Sequence, residues 1–147
     1  MMPKRRANLR DDCSGASAVE FALLIGPFLL IVFGSIEFAR LGWAHHAIAE
    51  TAAASARCVG ILASACATNG VYDAGKATLY AQAQAERWSL VLPNDGVAVT
   101  NATACGGVDG FSEVSITYTF QTAVPALIQA LASGTIVKHT ACFPRAI

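Results

Sequence analysis

An apolar run from Phe21 to Ile36, broken only by Gly26, Pro27, Gly34 and Ser35, constrains this chain more than any other feature. Counted from Ala16 to Leu41, a helix would extend roughly 35–40 Å at about 1.5 Å per residue. A hydrocarbon core is about 30 Å thick, so the segment is long enough to cross it. Four bases, Lys4, Arg5, Arg6 and Arg10, precede the run, and only Arg40 flanks its far side closely. Positive charge stays on the cytoplasmic face, which puts the N-terminus in the cytoplasm and the C-terminal part outside. The expectation is a single-pass protein whose C-terminal domain lies outside the membrane. A cleaved secretory signal is the rival, but its apolar stretch is normally shorter, and Glu20 stands at the entry of this one. Cys13 precedes the apolar stretch instead of ending it, which argues against a lipoprotein anchor.

The 147 residues suffice for one domain, or for one long helix and a small domain. With 54% hydrophobic and 14% charged residues, charge is low for a soluble protein. The formal net charge is zero, and beyond Arg40 acids and bases alternate without a basic face. No nucleic-acid partner is therefore expected.

Three segments follow: a basic leader over residues 1–15, a transmembrane and extended helix over 16–57, and a small α+β domain over 58–147. The helix is expected to continue past the membrane because its Ala-rich sequence, through Trp43 to Ala56, favours helix without much packing help. Gly26-Pro27 should bend or loosen it, since Pro27 removes one donor and crowds the Leu23 carbonyl. Residues 59–69 read as a loop. A second helix is expected over Tyr72–Leu92, where Ala77, Ala81, Ala85, Trp88 and Leu92 recur at steps of four and three. Pro93-Asn94-Asp95-Gly96 is a turn. Strands are expected over Val97–Ala104, Ser112–Gln121 and Thr135–Phe143, with a hairpin loop at Gly106–Gly110. In the middle strand Val114, Ile116, Tyr118 and Phe120 take one face. A short helix from Pro125 to Gly134 completes the domain. The fold class is α+β: a long N-terminal transmembrane helix, then one or two helices and about three antiparallel strands.

Topology divides the five cysteines. Cys13 lies on the reducing side, while Cys58, Cys66, Cys105 and Cys142 lie outside, where disulfides persist. Four cysteines allow three connectivities. Cys58 and Cys66 bracket a local loop, and strand pairing can bring Cys105 to Cys142; these two pairs are expected. No two cysteines have zinc-ligand spacing, so no metal is expected. Paired cysteines also leave no thiolate for catalysis.

Glu37 and Arg40, three apart near the outer interface, are expected to pair and to contact a neighbouring subunit. His46 and Glu50 can share a face, but two ligands make no catalytic metal site. Asn101-Ala102-Thr103 is read as a chance sequon. No nucleotide motif or catalytic set is present, so neither an enzyme nor a cofactor is expected.

The junction of leader and helix reads Gly15-Ala16-Ser17-Ala18-Val19-Glu20-Phe21. A charge at the start of a membrane-length helix is costly and asks for a function. Glycine tolerates almost any backbone geometry and so suits the residue just before a cut. Cleavage after it would leave an α-amino group on Ala16, largely charged at neutral pH. Glu20, four residues on, would share its helix face. This junction, with the basic leader and the Ala-rich extension, resembles the processing site of type IV prepilins, and in detail the TadE-like pseudopilins of Tad (Flp) pilus systems. The likeness runs from about Lys4 to Arg57; Phe21 stands where a tyrosine is common in the family. The resemblance implies a minor pilin or pseudopilin, cut by a prepilin peptidase between Gly15 and Ala16, with Glu20 and Phe21 guiding assembly. It implies as partners the major pilin, sister pseudopilins, the inner-membrane assembly platform and the lipid bilayer, with adhesion as the output. The alternative is an unprocessed, membrane-anchored periplasmic binding or scaffold protein.

Overall fold

The structure, a computed structural model, describes residues 15–123, 125, 128 and 135–145. The expected leader, Cys13 included, lies outside these residues except for Gly15. The same holds for the expected helix at Pro125–Gly134, of which Pro125 and Ile128 are described, both helical. The architecture is α+β. A long helix α1 (Ala16–Gly60) is followed by a two-residue hairpin, β1 (Ala67–Thr68) and β2 (Val71–Tyr72). Helix α2 (Ala74–Glu86) comes next, then a sheet of β3 (Val97–Cys105), β4 (Val108–Thr119) and β5 (Ile136–Pro144). Two compact units divide the chain, one ending at Glu37 and the other beginning at Phe38.

In the second unit the C-terminal part of α1 buries Leu41, Ala44, Ile48, Ala52 and Ala56, with Ala47 alongside. These recur at steps of three and four, one face of a helix. Helix α2 answers with Ala77, Ala81 and Ala85. Alanine leaves no bulk between helix backbones, so large side chains enter the core mainly from elsewhere. Leu90, Leu92, Val114, Ile116, Phe120 and Val137 supply them in one continuous cluster with α1 and α2. Each buried Val, Leu, Ile or Phe contributes about 1.5–3 kcal/mol.

The sheet is antiparallel in the order β3-β4-β5. Its inner face carries Val97 and Val99 on β3 beside Ile116 and Val114 on β4, with His139 and Ala141 opposite them on β5. One extra residue in β3 alters this alternation: Thr100 faces Glu113 and Thr103 faces Phe111, both on the outer face of β4. That bulge brings Cys105 to the face of Glu113 and Cys142. The disulfides are Cys58–Cys66 and Cys105–Cys142, with Cα separations of 5.9 and 6.4 Å. Across sequence separations of 8 and 37, loop closure alone contributes about 2.5 and about 4 kcal/mol.

Three boundaries differ from expectation. Helix α2 ends at Glu86, not Leu92, because Ser89 takes a left-handed φ of 60°. The Ser89 N–H then donates to the Glu86 carbonyl and the Leu90 N–H to the Ala85 carbonyl, closing the helix as a Schellman turn. The β3–β4 connection is also shorter: Gly106 and Gly107, at φ 62° and 85°, form a two-residue hairpin turn, and β4 starts at Val108. Third, α1 runs to Gly60, and the β1–β2 hairpin occupies the end of the expected loop.

The start of α2 is fixed by Asp73, whose Oδ1 accepts from the Lys76 N–H at 3.1 Å and Oδ2 from the Thr68 hydroxyl at 2.9 Å. The Lys76 N–H bond, then the Thr68 bond, hold the Asp73 carboxyl below its ordinary value of 3.8. A lowered folded-state value adds stability above pH 3.8 that is lost as pH falls through the depressed value. Asp73→Ala should therefore melt below wild type at pH 7, and the gap should close as acid is added down to about pH 2. Melting curves across that range check it; a gap that widens in acid would contradict the assigned cap.

Gly96 is buried where β4 passes, and a Cβ there would lie 2.7 Å from the Thr117 carbonyl oxygen. Gly96→Ala is expected to destabilise by about 1–3 kcal/mol. Gly42→Ala, with nothing within 4 Å of the added carbon, should instead be neutral or stabilise by up to about 1 kcal/mol. Denaturant titration of both proteins distinguishes the two sites.

Candidate processing and assembly segment

The first unit is the N-terminal part of α1, and its surface is apolar on every side. Phe21, Leu23, Leu24, Phe28, Leu30, Ile31 and Phe33 are all exposed by more than half. A helix apolar all round belongs in a large core or in a membrane. Here none of the most apolar stretch is buried among the described residues, and its mean hydropathy is 2.3. This single helix is long and apolar enough to cross a membrane.

Insertion magnitudes show whether Glu20 forbids that. Between Val19 and Ile36 there are 12 Leu, Ile, Phe or Val residues, together worth roughly −4 to −7 kcal/mol on an insertion scale. A charge at the centre of a span costs about 2.5–3.5 kcal/mol, and less near an interface. Glu20, at the entry, does not outweigh the run that follows. The helix also continues unbroken through Pro27. Ser35 spends its hydroxyl on the Val32 carbonyl at 2.8 Å, so it presents no free donor.

Gly15 and Glu20 are both exposed, and Ala16 opens α1. A Cβ at Gly15 would meet nothing within 4 Å, and the residue does not adopt a left-handed φ. No packing or backbone demand among the described residues therefore requires glycine there. Phe21, 65% exposed, packs on nothing that hides it.

Glu37 and Arg40 have different surroundings. Glu37 is buried, whereas Arg40 is exposed and holds its guanidinium 5.5 Å from the centre of the Phe120 ring. Sequence reasoning missed this cation–π contact, since Phe120 lies 80 residues away in the chain. His45 and His46 reach different partners: His45 meets the His139 ring edge-on at 5.8 Å, and His46 meets Trp88 at 5.9 Å. Cys105, Glu113 and Cys142 bring three potential ligand atoms within 4.8 Å of one another. Both sulfurs are bonded to each other, so one carboxylate remains and cannot hold a metal by itself.

A long helix, apolar and exposed in its N-terminal part, is thus continued by a part built into a small disulfide-linked α+β domain. Residues 15–57 match the family model described as TadE-like protein, so this segment is similar to that family. The match ends within α1 and does not reach α2 or the sheet. No curated protein matches the chain, and no solved structure does.

Membrane insertion gives a direct check on the apolar segment. Leu30→Arg places a charge mid-run, at a cost of about 2.5–3.5 kcal/mol plus the lost leucine term. The substituted protein should shift from carbonate-resistant membranes to the soluble or degraded fraction. Ala53→Arg, at an exposed position of the second unit, should remain in the membrane.

Proposed function

We propose that this protein is a minor pilin or pseudopilin of a Tad-type pilus, a structural subunit with no catalytic role. The observation that carries the reading is a glycine that no contact or left-handed φ among the described residues requires, placed five residues before a carboxylate at the entry of an all-round apolar helix. A prepilin peptidase would hydrolyse the Gly15–Ala16 bond, leaving a carboxylate on Gly15 and an amine on Ala16. The leader would stay in the cytoplasm and the α+β domain in the periplasm, with oxidising conditions maintaining the two disulfides.

Freed from the leader, the α1 N-terminus carries a positive amine as well as the positive end of the helix dipole. Glu20 neutralises that amine, or the amine of an adjacent subunit. In a low-dielectric bundle an unpaired carboxylate is costly, so the charge favours registers in which it is paired. Apolar side chains such as Phe28, Ile31 and Phe33 give contact area, while Gly26 and Gly34 permit close helix approach. The neighbours would be the major pilin and sister pseudopilins, delivered by the inner-membrane assembly platform, and the output is a fibre for adhesion.

Two substitutions separate the parts of this reading. Gly15→Val should leave full-length protein, because a β-branched residue stiffens the backbone at the cut; N-terminal sequencing beginning at Ala16 in this variant would sink the proposed site. Glu20→Gln keeps size and hydrogen bonding but discards the charge. It should insert and be trimmed, yet lose crosslinking to pilin partners and most surface pili. Wild-type piliation in Glu20→Gln would reduce the carboxylate to a helix cap and favour a membrane-anchored periplasmic protein instead.

A further inference from the structure

The second unit carries a cleft outside the processing and assembly segment. On α1, Trp43, Glu50 and Ala54 recur at seven and four residues, one helical stripe. Across from them stand Gln84, Arg87 and Trp88, from the end of α2 and its closing turn. Between these stripes lies a cleft of about 400 Å³, also lined by Thr51. The two indoles form its aromatic end: their rings meet edge-on at 5.2 Å, and Trp43 Nε1 donates to the Trp88 carbonyl at 3.5 Å. His46 braces Trp88 at 5.9 Å. Thr51 is 1% exposed, and its hydroxyl has no hydrogen-bond partner.

The charges lie on opposite walls. Glu50 is exposed on α1, and Arg87 is exposed on the other wall, reaching only Gln84 Oε1 at 3.5 Å. Indole faces and a carboxylate favour an ammonium group. A guanidinium fork favours a phosphate. A simple cation would leave Arg87 opposing it, a simple anion would leave Glu50 opposing it, and an apolar ligand would desolvate both. We propose that this cleft binds a zwitterion with an ammonium and a phosphate a few ångströms apart, the chemistry of phosphoethanolamine and phosphocholine. Its source is either a lipid headgroup or the free phosphoester. The lipid source rests on the membrane-spanning reading of α1, on which Trp43 lies seven residues past Ile36, where interfacial tryptophans gather. The site itself does not rest on that reading.

The chain has two tryptophans, and both line the cleft, so its intrinsic emission reports on this site. Full-length protein in a nonionic maltoside is titrated with phosphoethanolamine, ethanolamine and inorganic phosphate. A saturable emission change is expected with phosphoethanolamine, at least about fivefold tighter than with either half alone. Glu50→Gln and Arg87→Gln, both at exposed positions, should keep the wild-type melting temperature and each lose most of that advantage. Gly15→Val should bind as wild type, so a processing failure and a binding failure are separate results. In nanodiscs containing phosphatidylethanolamine, loss of the response to soluble phosphoethanolamine supports the lipid source, and its persistence supports the free one. No saturable response, a response untouched by both substitutions, or equal binding of ethanolamine alone would overturn the proposal. So would a response to vesicles with none to the soluble zwitterion, because indoles entering an interface produce that without any cleft.

Discussion

Helix α1 carries two different surface patterns along one backbone. As far as Ile36 its apolar side chains point in every direction, and from Leu41 onward they collapse to one stripe. In the first pattern, none of the described residues covers the most apolar stretch. The second pattern is that of a helix forming one wall of a domain. The change falls between Glu37 and Leu41, which is also where the two compact units divide. Everything beyond depends on that change: the stripe of Leu41, Ala44, Ile48, Ala52 and Ala56 is the surface on which α2 and the sheet build their core.

A core of alanines brings backbones close but removes little apolar surface per residue. The two disulfides offset this by limiting the unfolded chain, each by a few kcal/mol. They do so at separate places: Cys58–Cys66 closes the exit of α1, and Cys105–Cys142 ties β3 to β5 on the outer face of the sheet. The first has its own small buried cluster, with Val59, Ala77 and the partly buried Tyr72 and Tyr80 around it. Small residues also have a local cost, since Thr51 and Ser55 place hydroxyls in this packed helix face without hydrogen-bond partners. Each such group costs about 1–3 kcal/mol, comparable to the gain from burying one valine.

What was legible in the sequence followed its periodicities. The apolar run and the alanines fix α1, and strict alternation from Val114 to Tyr118 fixes the inner face of β4. The cysteine pairs were legible only in part: Cys58–Cys66 is local, whereas Cys105–Cys142 depends on a β3 bulge that no residue between Thr100 and Thr103 announces. The end of α2 was misread because a serine occupies the left-handed position that glycine usually marks. Trp88 and Leu92 continue the helical spacing past the true end, so period alone carried the helix six residues too far. The Gly106-Gly107 turn was read as the start of a longer loop, although two adjacent glycines suffice for a two-residue hairpin turn. The Arg40–Phe120 contact and the Trp43–Trp88 pair join distant segments, and no local pattern encodes them.

The carboxylates on α1 illustrate how position along one helix assigns different work to one chemical group. Glu50 is exposed on a domain surface, where water solvates it at no cost. Glu37 is buried at the boundary between units and is engaged by an interaction within the structure; burial of a charge requires such compensation. Glu20 has neither remedy. It is exposed on a surface of phenylalanines and leucines, so in a bilayer or a helical bundle its compensation must come from outside its own side-chain neighbours. The nearest source is a positive charge at the start of α1, and while the leader is attached, the peptide nitrogen of Ala16 carries none. On the proposed reading, cutting after Gly15 would create that charge four residues from the carboxylate. On that reading processing would come first, and only then would the helix pack in a low-dielectric bundle with its entry carboxylate neutralised.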